Sequence, residues 1–148
     1  MGSHVERYIL ENVYRIGSYM SDLVAGIKSL YASVGTAAYY DTFEERGTDY
    51  VVPAGKKFYI TRVTYTGKYN AGGIEIGYGD DGVANSASAP TTFVSLTGAN
   101  AATKSIFATE AHLPKQFDCW FEVPAGKYPC LHVNGAADGA CVVEGVEK

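Results

Sequence analysis

The chain is short of positive charge, of cysteine and of tryptophan. Twelve Lys and Arg stand against sixteen Asp and Glu in 148 residues, a formal net charge of −4. Electrostatic capture of nucleic acid needs a surplus of cations facing the phosphates, so no nucleic-acid partner is expected. No apolar run approaches the roughly eighteen residues of a membrane-spanning helix. The N-terminus also lacks the basic and compact apolar regions of a signal peptide. The sequence therefore predicts a chain made in the cytoplasm, with no membrane partner. The three cysteines, Cys119, Cys130 and Cys141, are an odd number for a disulfide framework and sit in strand-like surroundings, which predicts buried free thiols.

What is present points to a β-rich domain. Hydrophobic residues make up 47% of the chain, and seventeen Gly and twelve Tyr accompany a charged share of only 19%. That is enough apolar material for a real core and enough glycine for many tight turns. One domain with a short extension fits the length.

The extension is read from residues 1–35. Ile9, Val13, Ile16, Met20, Leu23, Ile27, Leu30 and Val34 follow one another at alternating steps of four and three, the spacing of a heptad seam. Ser3 and Glu6 have the spacing of a capping box and Gly35 suits a helix C-terminus. The expectation is a helical arm over 4–34, in one piece or broken at Gly17. Its seam is flanked by Asn12, Gly17, Tyr19, Val24, Gly26, Tyr31 and Ser33, none of them charged. Gly17 and Gly26 each cost about 1 kcal/mol relative to Ala inside a helix. Such an arm needs burial, either on its own β domain or in an assembly, and Ile9, Val13, Ile16, Met20, Leu23, Ile27 and Leu30 are the expected assembly contacts.

From residue 36 to 148 the apolar period changes to two. Strands are expected near 38–45, 48–52, 57–66, 73–79, 92–97, 104–112, 116–123, 128–134 and 140–146. Many short strands without interleaved helices predict a jelly-roll-like antiparallel β-sandwich of eight or nine strands. Val52-Pro53-Ala54-Gly55-Lys56 recurs as Val123-Pro124-Ala125-Gly126-Lys127, each copy between two strands. Proline and glycine at these positions read as hairpin corners. The Gly-Lys pairs do not form a phosphate loop, whose pattern leads into a helix.

The stretch from Tyr50 to Val63 around the first corner, the second corner from Phe121 to Pro129, and the closing strand from Gly139 to Glu147 resemble small β-sandwich accessory proteins of tailed-phage virions. These include capsid decoration (cement) proteins and fibre-like head or tail proteins. The resemblance implies a non-enzymatic structural subunit of the virion, commonly a homotrimer, seated on a shell of major capsid protein.

No residue stands out for catalysis. His132 and Cys130 share a strand face but lack the further ligands of a metal site, so no metal or cofactor is expected. Asp80 and Asp81 read as a solvated turn rather than a cation loop. Glu44 and Glu45 are adjacent on a strand and point to opposite faces, unlike a glycosidase pair. The aromatic residues Tyr69, Tyr78, Trp120 and Tyr128 are expected surface contacts, for a protein or for a sugar ring. A glycan-binding module is thus the alternative reading. The small, uncharged residues between Val83 and Ser105 are expected to lie against neighbouring subunits.

Overall fold

Residues Ile27–Val34, where the heptad spacing predicts a helix, form a strand instead, β1. Leu30, Ala32 and Val34 are buried while Ile27, Ser29 and Tyr31 are exposed, a period of two that the four-and-three spacing concealed. Ile27 and Leu30, three residues apart, lie on opposite faces, as they must in a strand. An eight-residue antiparallel ladder with the segment from Gly139 to Val146 outweighs the helical pattern. Gly26 lies so close to the Glu147 carbonyl that a side chain at that position would collide with it.

The structure is a computed structural model that describes residues 26–35, 39–68, 74–97, 115–133 and 138–148, with Glu6, Ile9, Asn12, Val13, Arg15 and Ile16. Met20 and Leu23 lie outside the described residues, and the helical arm is not seen. The strand expected over 104–112 also lies outside them. No helix among the described residues is long and apolar enough to cross a membrane.

Nine more strands follow among the described residues: β2 (Tyr40–Thr42), β3 (Glu44–Glu45), β4 (Thr48–Asp49), β5 (Phe58–Lys68), β6 (Ile74–Gly79), β7 (Val94–Ser95), β8 (Lys115–Val123), β9 (Tyr128–Val133) and β10 (Asp138–Glu147). They make two antiparallel sheets, six strands in the order β4-β3-β1-β10-β5-β8 and four in the order β2-β9-β6-β7. The single strand expected over 38–45 is cut at Phe43, where the chain passes from the four-stranded to the six-stranded sheet. Phe43 donates its N–H to the Pro129 carbonyl and accepts from the Tyr50 N–H, both at 2.9 Å.

The core lies between the sheets, where Phe43, Phe58, Ile60, Val63, Tyr65, Ile74, Ile76, Leu131 and Val143 are wholly buried. Burial of each large aliphatic or aromatic side chain is worth about 1.5–3 kcal/mol. The alternation along β5 changes phase at Thr61, the extra residue of a β-bulge between Ile60 and Arg62. Phe58 and Ile60 point inward before it, and Val63 and Tyr65 after it, so Arg62 faces solvent, not the core. On β8 the same irregularity sets Cys119 and Trp120 against the bulge.

The two Val-Pro-Ala-Gly-Lys segments are arches rather than hairpins. The first joins β4 to β5, which are not neighbours, and the second carries the chain from β8 in one sheet to β9 in the other. In each the proline opens the turn: Lys56 N–H reaches the Pro53 carbonyl at 3.1 Å, and Lys127 N–H the Pro124 carbonyl at 3.3 Å. Gly55 and Gly126 take φ of 75° and 76°, the left-handed values that glycine adopts without strain. The arches also bond to each other: Val52 N–H donates to the Lys127 carbonyl at 3.0 Å, and Gly126 N–H to the Val52 carbonyl at 2.8 Å.

Where the chain crosses from β1 to β2 a buried carboxylate does the joining. Asp41 accepts the Ser33 N–H of β1 at 2.7 Å through Oδ2 and the Asn85 N–H at 2.8 Å through Oδ1. Burial pushes its pKa above the ordinary carboxylate value, against the opposing pull of these two backbone donors. Asp41→Asn sets an amide NH₂ against one of the two N–H groups, so its urea-unfolding free energy should fall by about 1–3 kcal/mol. An unchanged value would show that the carboxylate does not hold this crossing.

Candidate functional site: the outer face of the six-stranded sheet

The ladders of β1, β10, β5 and β8 set their outward side chains in rows across the sheet. One row is apolar on three strands: Ile27 is opposite Val146 and Val146 is opposite Tyr59, whose β8 partner is Glu122, while Trp120 stacks on Tyr59 with ring centroids 4.9 Å apart. The next carries charge, with Ser29, Glu144, Arg62 and Asp118 in register. A third holds Tyr31, Val142, Thr64 and Gln116. Ile27 is 58%, Tyr31 49% and Trp120 60% exposed. Large apolar side chains on one continuous sheet face mark an interaction surface more readily than scattered ones do.

The charges on this face answer one another. Arg62 Nε lies 2.9 Å from Asp118, and its Nη1 lies 4.0 Å from Glu144. Lys57 meets Glu122 at 2.7 Å. Asp118 beside Arg62, and Glu122 beside Lys57, hold those cations' pKa values above their ordinary positions. Lys148 Nζ stands 5.5 Å and 5.6 Å from the ring centres of Tyr59 and Trp120, a cation–π arrangement. Both faces of β8 follow from its alternation: Gln116, Asp118, Trp120 and Glu122 outward, Phe117, Cys119 and Phe121 inward.

At the β3–β4 end a pocket of about 300 Å³ is lined by Lys28, Glu45, Asp49, Tyr50 and Glu147 among others. Lys28 Nζ sits 3.2 Å from Glu45 and 3.9 Å from Glu147. The Tyr50 hydroxyl donates to Glu147 at 2.7 Å. Burial, then the Glu147 carboxylate, drive the Tyr50 pKa upward, which favours the protonated phenol. The cysteines are free. Burial pushes the Cys119 thiol up to about 11 and those of Cys130 and Cys141 upward as well, and a protonated thiol is a poor nucleophile. Among the described residues no three His, Cys, Asp or Glu side chains gather as metal ligands.

The aromatic residues singled out in the sequence separate here. Trp120 is on the outer face, Tyr78 packs against the core from β6, Tyr128 is half-buried at the start of β9, and Tyr69 lies outside the described residues. Tyr78 is thus partly buried and packs against the core. Of the seam residues, Ile9, Val13 and Ile16 are exposed, Ile27 joins the outer face, and Leu30 enters the core. Tyr59, Tyr31, Val142 and Val146 escaped the sequence reading. Their signal was the alternation of β1, β5 and β10, with β1 hidden by the heptad spacing. The Asp80–Asp81 turn uses its carboxylates locally: Lys127 bonds Asp80, and Thr91 donates its N–H to Asp81.

His132 leads a second cluster, on the outer side of the four-stranded sheet. Tyr40, His132 and Glu75 are in register across β2, β9 and β6. Tyr40 stacks on the imidazole at 4.2 Å, and Phe93 meets it edge-on at 5.9 Å. Nδ1 is buried without a hydrogen-bond partner among the described residues, 3.8 Å from Glu75.

No protein-family model matches the chain, and no curated protein matches it in sequence. Among solved structures it is similar to the nucleoplasmin-like N-terminal domain of Drosophila FKBP39, with 10% identity and a TM-score of 0.38 over 84% of this chain and 92% of that one. It is also similar to the acidic stable capsid of Helicobacter pylori bacteriophage KHP30, with 14% identity and a TM-score of 0.38 over 83% of this chain and 93% of that one. Both are distant structural neighbours, one of them a phage capsid structure.

Burial lowers the His132 pKa despite the opposing pull of Glu75. Above the ordinary imidazole value of about 6.5 the ring is neutral whether the chain is folded or not. Below it the unfolded chain takes up a proton that the folded site resists, so stability falls as pH drops from there through the folded value. His132→Phe keeps the stack and removes the titration. Its melting temperature should vary less than wild type between about pH 7 and 5, and equal slopes for the two proteins would contradict the burial argument.

Proposed function

We propose that the chain is a structural virion protein, a decoration (cement) subunit that binds a tailed-phage shell and sister copies of itself, and that it is not an enzyme. The observation that carries this reading is the outer face of the six-stranded sheet, where Ile27, Tyr31 and Trp120 stand exposed on one side of the sheet while its charged groups pair among themselves. Apart from the β3–β4 hairpin, the sheets run β1-β10-β5-β8 and β2-β9-β6-β7, the strand order of a jelly roll, an architecture used by capsid and lectin domains. The repeated Val-Pro-Ala-Gly-Lys arches are the segments in which the sequence resembles virion accessory sandwiches. The partner is the major capsid protein, the oligomer a homotrimer, the location the virion, and no cofactor is needed. Many copies on one shell turn modest contacts into firm attachment.

Light scattering on the purified full chain should give the mass of three 15.8 kDa copies, unchanged from low to high salt because apolar contacts are not screened. In lysates of the source, the chain should band with tailed particles on a density gradient. A chain found only in the unbanded soluble fraction overturns the virion reading.

A glycan-binding module is the second reading, and Trp120 favours it. Its indole is exposed beside Glu122 and Lys148, which could bond sugar hydroxyls. Trp120 is the only tryptophan, so its emission reports this one place. A soluble glycan that shifts the emission in wild type and loses its binding in Trp120→Ala would support the module, and a glycan panel without any shift would dismiss it.

A further inference from the structure

We infer that the outer face of the six-stranded sheet receives the N-terminal segment of a second copy of this chain, so that copies exchange arms. The inference rests on the assembly reading and names the partner of its sheet face. Six of the exposed large apolar residues fall into two groups. Ile9, Val13 and Ile16, 54%, 62% and 63% exposed, belong to the N-terminal segment, and Ile27, Tyr31 and Trp120 belong to the sheet face. Each group is the kind of surface the other would cover. The exposure of Ile9, Val13 and Ile16 within a single chain means that these residues do not cover their own sheet.

Position agrees with an exchange between copies. Gly26, packed against Glu147, precedes Ile27 at the end of β1 where Val146, Tyr59 and the Trp120 ring stacked on it share the outer face. An arm departing there is at hand for the face of an adjacent copy. Charge does not obstruct the contact: the flanks of the stripe carry none, and Arg62 on the sheet is already occupied by Asp118. Head-to-tail delivery of each arm to the next face is a heterologous contact, which makes a ring such as a homotrimer where its rotation closes.

Two single substitutions test the exchange from opposite sides. Leu23→Asp spoils the arm and leaves the face intact, whereas Tyr31→Glu spoils the face and leaves the arm intact. Light scattering should show a wild-type oligomer, each variant alone as a monomer, and the two mixed as a pair in which one arm meets one face. Far-UV circular dichroism confirms that each variant is folded, and Val142→Lys replaces Tyr31→Glu should that protein not fold. Two single-cysteine additions, Ile16→Cys in one copy and Ser29→Cys in another, should form a disulfide between chains when mixed under oxidising conditions. A folded face variant that keeps the wild-type mass would mean that arms pair with arms, and a wild-type monomer at the highest soluble concentration would mean no exchange. Either result overturns the inference. Because these measurements use the purified chain alone, they stand apart from the gradient experiment on particles: an arm-exchanged oligomer that does not band with particles would uphold this inference and refute the virion reading.

Discussion

A single carboxylate ties the two sheets where the chain first passes from one to the other. Asp41 sits on β2, accepts one N–H from β1 of the opposite sheet and another from Asn85, and is only 8% exposed. Burial alone would expel such a charge, and two backbone donors are what make it tolerable. The neighbouring Thr42 repeats the device: its hydroxyl accepts the Val83 N–H, and its own N–H reaches the Val83 carbonyl, both at 2.8 Å. The segment from Val83 to Ser86 is thereby held along β2, and Phe93 further on is brought over Tyr40 and His132. Position of β1, edge of the four-stranded sheet and cover of the histidine cluster all descend from this one crossing.

Much of the sandwich was legible because half-buried strands alternate. The segments around 57–66, 73–79, 116–123 and 128–134 show an apolar period of two, and β5, β6, β8 and β9 lie there. Three features were not legible, each for a physical reason. β1 has Ile27, Leu30 and Val34 at helical spacing, and only its long-range pairing with β10 decides between the two periods. The bulge at Thr61 shifts the phase of β5 without any glycine or proline to announce it. The arches look like hairpins in sequence because a turn's local chemistry does not say which sheet receives the next strand.

The interaction face was legible in part. Trp120 between Asp118 and Glu122 reads as outward-facing, and it is. Tyr78 reads as its equal, yet β6 turns that ring toward the core because Ile74 and Ile76 set the inward phase. The row formed by Ile27, Val146 and Tyr59 needs three strands from distant parts of the chain, and no single segment carries it. Sequence can thus nominate individual aromatic residues, whereas the surface itself is a product of register.

The ladder between β1 and β10 joins residues 27–34 to residues 139–146, and β10 stands between β1 and β5 in the sheet. During synthesis β1 and β5 therefore leave the ribosome long before the strand that lies between them. Until β10 arrives, neither has its neighbour and the core has no complete floor. Loop closure of this span is slow compared with helix or hairpin formation, so the domain closes only once β10 has emerged, and chains cut short of β10 remain open for proteolysis. Only copies that include β10 then reach the folded state in which the outer face exists, a form of length control built into the topology.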